Sequence, residues 1–287
     1  MTARLLEGKV FATQIKADAK KKVEELQEKY KVTPGLAVVI VGENAASKVY
    51  VANKHKACVE LGIYSEVIEM PNDTTKDMLL AKIDELNADN KIHGILVQLP
   101  LPAQIQVDEA EILNRIDPLK DVDGFHPVNA GKLATGQEQL VPCTPLGCIR
   151  MLELAGIDIE GKQAVIIGRS NIVGKPMFHL LLSRNATVTV CHSRTKDLAQ
   201  ISRQADILVA AIGKPAFVTA DMVKPGAVVI DVGINRIAPK KLVGDVDFST
   251  VSEVASAITP VPGGVGLLTI AMLMQNTVTA ARLQLEK

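Results

Sequence analysis

The chain lacks a net charge, a long apolar run and paired cysteines. Its 287 residues contain 32 Lys plus Arg and 32 Asp plus Glu, so no net field draws it to nucleic acid or anionic membrane. No apolar run approaches the roughly 20 residues of a membrane span, and the N-terminus has no apolar signal core. We therefore expect small-molecule partners, no membrane or nucleic-acid binding, and a soluble, cytoplasmic protein. A mature chain keeps no record of a removed leader, so organelle import stays an alternative.

The cysteines form no CxxC pair and are not densely spaced. They stand at Cys58, Cys143, Cys148 and Cys191. This spacing is typical of reduced thiols in a cytosolic enzyme, and it predicts no zinc site. Residues 120–126 (KDVDGFH) resemble a calcium loop only superficially, because a further acidic residue and a distal glutamate are missing. We interpret this segment as a turn with an Asx motif, and we predict no metal site.

Short strand-like apolar runs alternate with amphipathic helical stretches along the chain. A hydrophobic content of 47% over this length can bury a sizeable core, in one large or two moderate domains. The alternation is typical of βαβ units with parallel sheets, so the predicted fold class is α/β. No internal repeat or low-complexity segment interrupts it. The predicted strands are 36–41, 65–69, 94–99, 164–167, 187–191, 207–212 and 228–232.

The character of the chain changes near residues 142–144, where we place a domain connection. Thr144 can cap a helix that Pro145 opens and Gly156 closes. Residues 267–285 predict a long terminal helix, which could return to pack on the first domain. The predicted division is therefore 1–144, joined by a terminal helix at about 267–287, and 145–266.

Tyr50 and Lys54 stand four residues apart, which places them on one face of a helix, one turn removed. Ser47 is a plausible N-cap and Gly62 a natural C-terminal stop. Such a pair can hold a flat substrate and move a proton. The alternative is that Tyr50 packs and Lys54 is solvated at the surface.

A glycine turn follows the strand at 164–167, although the chain lacks a GxGxxG fingerprint. Gly168 is followed by Arg169 and Ser170, which stand where the second glycine would be, and Gly174 then opens a helix. Backbone amides at that helix start would face a phosphate. Further βα units follow, which favours nucleotide binding over a tight structural turn.

The next strand also lacks the acidic residue that an NAD site usually presents to the ribose. It ends instead in His192, Ser193 and Arg194. Arg169 and Ser193 offer a cation and a hydroxyl for a 2′-phosphate, so the sequence predicts NADP rather than NAD. Arg194 is either a further contact or an exposed loop charge.

Gln98 lies near the carboxyl end of an apolar strand that two prolines, Pro100 and Pro102, bring to a stop. Ligands in α/β proteins bind at that end of parallel strands. The amide can therefore face a ligand, or it can be a satisfied core amide.

These residues lie in motifs that closely resemble the bifunctional methylenetetrahydrofolate dehydrogenase and methenyltetrahydrofolate cyclohydrolase family. The match runs nearly end to end and in the expected order. It is carried by YVANK, GILVQLPLP, KDVDGFHP, PCTP, VIIGRSNIVGKP, VTVCHSRT, DVGIN and TPVPGGVGLLT.

The resemblance implies two α/β domains with a catalytic cleft between them. The first binds folate, and the second is a Rossmann-like NADP-binding domain. The implied reactions are NADP-dependent oxidation of 5,10-methylenetetrahydrofolate, then hydrolysis of the methenyl product to 10-formyltetrahydrofolate. A homodimer serving one-carbon metabolism and purine biosynthesis is also implied.

By similarity, Lys54 handles protons in hydrolysis, Tyr50 stacks on the folate ring system and Asp123 anchors the pterin. We interpret Gln98 as a neutral neighbour that favours the uncharged form of Lys54. The resemblance carries cofactor binding to Gly168, Arg169, Ser170, Ser193 and Ile234. Residues 263–266 either approach ligand as backbone or form a structural turn.

Two other functions stay open at this point. One is a dehydrogenase of another substrate, for example of the shikimate type, whose nucleotide half has a similar glycine turn. The other is a folate-binding or nucleotide-binding module that has lost turnover.

Overall fold

The computed structural model describes residues 2–239 and 241–286. The helices are α1 (Gly8–Tyr30), α2 (Ala45–Leu61), α3 (Lys76–Ala88), α4 (Ala103–Gln106), α5 (Glu109–Asn114), α6 (Pro127–Ala134), α7 (Cys143–Leu154), α8 (Gly174–Leu182), α9 (Leu198–Ser202), α10 (Phe248–Val251) and α11 (Val265–Leu285), with a 3-10 helix at Ala220–Met222. The strands are β1 (Arg4–Leu5), β2 (Gly35–Val41), β3 (Tyr64–Met70), β4 (Gly94–Val97), β5 (Gln163–Ile167), β6 (Thr187–Cys191), β7 (Ile207–Ala210), β8 (Val228–Asp231), β9 (Asn235–Ala238), β10 (Lys241–Val243) and β11 (Ala257–Ile258).

The chain divides into two compact units. We call residues 14–143 and 270–286 the three-stranded unit, and residues 2–13 and 144–269 the six-stranded unit, after their main sheets. Both α1 and α11 run from one unit into the other. Residues 2–13 group with residues 144–269, because β1 pairs with β11 in parallel.

The three-stranded unit is built on the parallel order β3-β2-β4. Every residue of β2 is buried, as expected of the central strand of a covered parallel sheet. One face of this sheet packs on aliphatic side chains of α3 and α5, including Leu79, Ile83 and Ile112. The strand order changes direction at β2, so the carboxyl ends of β2 and β4 flank a position where α/β sheets bind ligands.

The six-stranded unit has the order β1-β11-β8-β7-β5-β6, and each pairing is parallel. Strands β9 and β10 form a separate antiparallel pair. After β6 the chain crosses β5 to reach β7, so the order reverses between β5 and β7. The crevice beyond the carboxyl ends of these two strands is the expected ligand position.

Most predicted strands are present within one residue of their expected ends. Two are shorter than predicted, since β4 stops at Val97 and β7 at Ala210. Helix α7 begins at Cys143, so Thr144 lies inside it rather than capping it, and its hydroxyl is 2.9 Å from that of Thr269. Gly156 has φ +69° just beyond the end of α7, as predicted for a stop.

Candidate active site and dinucleotide site

Helix α2 carries Tyr50 and Lys54 on one face, as their spacing predicts. The cap predicted at Ser47 is wrong, because Asn44 is the N-cap and its side chain accepts a hydrogen bond from the backbone N–H of Ser47. Gly62 ends the helix with φ +73°, as predicted. Tyr50 is 42% exposed, which leaves its ring free to contact a ligand, whereas Lys54 is only 8% exposed. The surface alternative for Lys54 is therefore wrong.

The buried amine of Lys54 contacts the amide of Gln98. Lys54 Nζ donates to Gln98 Oε1 over 2.9 Å, and Gln98 Nε2 donates to the carbonyl of Leu99 over 2.6 Å. The backbone N–H of Gln98 donates to Val39 O at the sheet, which fixes the side chain beside the carboxyl end of β4. With its oxygen facing Lys54, the amide accepts one N–H without supplying a charge.

Asp123 lies close enough to Lys54 for their charges to interact. Burial lowers the pKa of Lys54, and the carboxylate of Asp123 opposes that shift. Burial likewise raises the pKa of Asp123 to about 6, opposed by Lys54. Both groups are thus shifted towards their uncharged forms, and the uncharged amine is the form of a lysine that accepts a proton.

Two buried polar residues fix the loop that carries Asp123. Asp121 accepts from the backbone N–H groups of Gly124, Phe125 and His126, which is the Asx-type turn predicted there. Asn276 on α11 donates to the carbonyl of Val122 over 2.8 Å. Sequence reasoning missed Asn276, because 154 positions separate it from Val122 and no local motif marks it.

The glycine turn of the six-stranded unit is built as its sequence predicts. Gly168 has φ +134°, and a Cβ there would lie 2.2 Å from the carbonyl oxygen of Ala211, so only glycine fits. A Cβ on Gly174 would likewise lie 2.3 Å from Gly168 O. Ser170 Oγ accepts from the backbone N–H groups of Val173 and Gly174 at the start of α8. Strand and helix therefore approach closely at this turn.

A cavity of about 310 Å³ opens at the reversal point between β5 and β7. It brings together the predicted residues Gly168, Arg169, Ser170 and Ser193. None of the eleven described residues that line it is acidic. The others are Ile167, His192, Leu198, Ala211, Ile212, Lys214 and Phe217.

Ile234 does not line this cavity. It follows β8, is 48% exposed, and lies beside the start of α11, where a Cβ on Gly266 would be 3.4 Å from its Cδ1. Arg194 is likewise not among the lining residues.

Sequence reasoning missed Lys214 and Phe217 in the cavity wall. Lys214 Nζ lies 5.5 Å from the centre of the Phe217 ring, a cation–π arrangement. Both follow β7, so the rule that ligands bind at the carboxyl ends of parallel strands could have indicated them. In the described parts of the chain, no group of three His, Cys, Asp or Glu is placed to hold a metal ion, and no helix is long and apolar enough to cross a membrane.

Two features define a class, a dehydrogenase with a second chemical site. They are the doubly wound sheet with its cation-lined cavity and, in the other unit, the buried Lys54 amine beside the partly buried Gln98 and Asp123. Family models identify the class more closely. Residues 6–123 match "Tetrahydrofolate dehydrogenase/cyclohydrolase, catalytic domain", and residues 142–285 match "Tetrahydrofolate dehydrogenase/cyclohydrolase, NAD(P)-binding domain". The chain belongs to the tetrahydrofolate dehydrogenase/cyclohydrolase family.

Curated and solved relatives agree with this assignment. The bifunctional protein FolD of Moorella thermoacetica is 59% identical over 98% of this chain and 100% of its own length. The bifunctional FolD of Campylobacter jejuni superposes with a TM-score of 0.94 at 51% identity, covering 98% of this chain and 99% of that one. The FolD of Trypanosoma brucei, solved with NADP cofactor and inhibitor, has a TM-score of 0.94 at 39% identity, and both chains are covered completely.

These findings confirm the predicted family, the α/β fold class and the predicted enzyme, a dehydrogenase and cyclohydrolase of tetrahydrofolate derivatives. The match to the NAD(P)-binding domain confirms a nicotinamide dinucleotide as the cofactor class. A shikimate-type dehydrogenase and a module without turnover are not favoured.

Proposed function

We propose that this chain oxidises 5,10-methylenetetrahydrofolate with NADP and hydrolyses the resulting methenyl cation to 10-formyltetrahydrofolate. The observation that carries the proposal is the buried Lys54 amine, held 2.9 Å from Gln98 Oε1 and near Asp123, in a chain of this family. Together these three residues place an amine that can exchange protons beside a carboxylate. Hydrolysis needs such a proton-exchanging group, whereas hydride transfer does not.

In hydrolysis, attacking water loses a proton and the departing ring nitrogen gains one. Neutral Lys54 donates one N–H to Gln98 Oε1, and this leaves its lone pair free to accept the proton from water. The resulting ammonium then has a proton for the nitrogen. Burial lowers the pKa of Lys54, which shifts the amine towards the neutral form that accepts the proton from water.

The other two residues of the folate site position the substrate. Tyr50 is exposed one helical turn from Lys54, so its ring can stack on the folate ring system. The Asp123 carboxylate accepts hydrogen bonds from the amino-pyrimidine edge. Oxidation itself needs the two ring systems held in contact, with a folate nitrogen lone pair stabilising the cation, and bound NADP supplies the hydride acceptor.

For the cofactor we propose NADP over NAD, bound by Gly168, Arg169, Ser170, Ser193 and Ile234. The cavity at the sheet reversal fits the additional phosphate, because Arg169 and Lys214 bring cations, Ser193 brings a hydroxyl, and none of the described lining residues brings a carboxylate. The NADP complex of the Trypanosoma brucei relative supports the same choice.

We further propose that folate binding belongs to residues 1–144, with a terminal helix from about 267, and that NADP binding belongs to residues 145–266. Family resemblance supports a homodimer that serves purine biosynthesis, bound to neither membrane nor nucleic acid. A cytoplasmic location is supported by the four cysteines, which are all free and buried. Sedimentation at twice the mass of the chain would support the dimer, and sedimentation at the single mass would contradict it.

The direct test supplies purified protein with 5,10-methylenetetrahydrofolate and NADP. Reduced cofactor is followed by absorbance, and the methenyl and 10-formyl products by chromatography. We expect reduced cofactor together with 10-formyl product. Accumulation of the methenyl product, with hydrolysis no faster than in buffer, would contradict the role of Lys54. Absence of reduction with both NADP and NAD would contradict the dehydrogenase.

A further inference from the structure

Asp245, between β10 and α10, is completely buried and lies outside every motif that pointed to function. Its carboxylate nevertheless accepts four hydrogen bonds. Oδ2 accepts from the backbone N–H groups of Ile212 and Gly213, at 2.7 and 2.9 Å. Oδ1 accepts from the backbone N–H of Lys214 and from Asn235 Nδ2, both at 2.9 Å. Successive N–H groups that converge on one carboxylate form an anion-binding nest.

The four donors belong to two separate segments of the dinucleotide site. Residues 212–214 follow β7, and Ile212 and Lys214 line the cavity with Arg169. Asn235 stands next to Ile234, as the first residue of β9, directly after the loop that follows β8. One carboxylate therefore connects the cavity wall to the segment that carries Ile234. Asp245 is the acceptor that the two segments share in these hydrogen bonds.

The surroundings of Asp245 leave its carboxylate no room to move. A Cβ on Gly233 would lie 2.2 Å from Asp245 Oδ1, so the backbone of the Ile234 loop packs directly on the carboxylate. Asp231, at the end of β8, accepts from the backbone N–H groups of Gly233, Asp245 and Val246. The main chain at Asp245 is thus anchored to the same sheet that bears the cavity.

We infer that Asp245 is a positioning residue of the dinucleotide site. Its hydrogen bonds hold Lys214, in the cavity wall, at a fixed position relative to Ile234, in the loop after β8. Asp245 itself touches neither substrate nor cofactor. The inference rests on the proposed binding of NADP to this unit. A bond to a charged acceptor is stronger than one to a neutral acceptor, so a carboxylate is the group best suited to hold four donors at once.

The test replaces Asp245 by asparagine, which preserves the size of the side chain. The amide group turns an NH2 towards two donors, so two of the four hydrogen bonds are lost. We expect the KM for NADP to rise about tenfold or more. Hydrolysis of supplied methenyltetrahydrofolate without NADP should stay within about twofold of wild type, because Lys54 belongs to the other unit. A merely structural aspartate would instead lower the active fraction in both assays and leave the KM unchanged.

Two further variants keep the outcome decisive. Asp206→Asn is the matched control, because Asp206 also accepts a backbone N–H, from Gln163, and pairs with Lys224 just before β7, at the end of the strand away from the cavity. It should leave the KM for NADP unchanged. If Asp245→Asn does not fold, Asn235→Ala decides, since it removes only the bond between the Ile234 loop and Asp245, and it should also raise that KM.

An unchanged KM in folded Asp245→Asn, or in Asn235→Ala, would overturn the positioning role. Failure of the proposed function would look different. If the proposed function fails, the wild-type protein does not reduce NADP. If only the positioning role fails, the wild-type protein reduces NADP and the variants have an unchanged KM.

Discussion

Lys54 combines burial with a neutral hydrogen-bond partner. A charged amine is costly in such a position, and the carboxylate of Asp123 offsets only part of that cost, since the pKa of Lys54 is still lowered. Gln98 contributes no charge, so it orients the amine through one hydrogen bond and adds no charge–charge attraction to its protonated form. This arrangement suits a lysine that exchanges protons rather than one that forms a permanent ion pair.

Asp123 gives a prediction about pH. Its pKa is raised to about 6, so at neutral pH it is a carboxylate that can accept hydrogen bonds from the substrate. As the pH falls through about 6 the carboxyl gains a proton and loses acceptor capacity. Affinity for tetrahydrofolate, measured anaerobically by calorimetry, should therefore weaken below that pH. Asp123→Asn should show weaker binding without this pH dependence, and an unchanged dependence in the variant would contradict the assignment.

Arg169 tests the preference for NADP. The change Arg169→Ala removes a cation from the cavity, and loss of a charge-assisted hydrogen bond to phosphate costs about 1.5–3 kcal/mol. The KM for NADP should rise roughly 10- to 100-fold, while that for NAD changes by about twofold at most. The exposed Arg203 provides the control as Arg203→Ala. Equal losses for both cofactors would identify a structural arginine.

Local motifs predicted the residues that lie at strand ends and on one helix face. Tyr50, Lys54 and Gln98 fall in this group, and the contact between Lys54 and Gln98 joins the helix that follows β2 to the residue that follows β4, the neighbouring strand. Asp245 could not be predicted, because three of its four partners stand 31 to 33 positions earlier in the chain and the pattern around it is unremarkable. Its role depends on long-range packing, which one sequence does not reveal.

At the scale of elements, α2 sets the positions of Tyr50 and Lys54 in the proposed folate site. Its apolar residues Val51, Cys58 and Leu61 are buried, so packing fixes the rotation of the helix and directs Lys54 inward. Both Asn and Ser favour N-caps, so the local sequence offered two starting points. The structure uses Asn44, and Ser47 contributes its backbone N–H instead.

The cap gives a prediction about stability. Asn44→Ala leaves the N–H of Ser47 without its acceptor and should lower the free energy of unfolding by about 1 kcal/mol. The shift is measured as a lower urea midpoint. Asn44→Ser retains an oxygen acceptor and serves as the control, with little expected change. Equal destabilisation by both variants would mean that the side chain at this position acts through something other than capping.

The apolar pattern of the sequence predicted the existence of strands better than it predicted the residues at which they end. Strand β6 has its predicted bounds, whereas β4 and β7 are shorter than their apolar runs. In both cases a residue after the strand forms a hydrogen bond with a side chain. Gln98 Oε1 accepts from Lys54, and the backbone N–H of Ile212 donates to Asp245. Apolar residues continue beyond the last paired residue of β4 and of β7, so composition alone overestimates the length of these strands.

At the scale of the molecule, each unit carries one of the two candidate sites. The lysine, amide and carboxylate lie in the three-stranded unit, and the cation-lined cavity lies in the six-stranded unit. The membership of residues 2–13 in the six-stranded unit arises from pairing between β1 and β11, about 250 positions apart, so sequence order could not indicate it. Separate placement means that substitutions in one unit should leave binding by the other largely intact.

The most direct measurement replaces Lys54 by methionine and follows both chemistries in one preparation. Methionine fills the buried space without a proton-exchanging group. The account predicts that methenyltetrahydrofolate hydrolysis falls to its uncatalysed rate, while NADP affinity stays within about twofold of wild type. Lys56→Met, at an exposed position of the same helix, should retain both. Normal hydrolysis by Lys54→Met would contradict the assignment of the cyclohydrolase to this lysine.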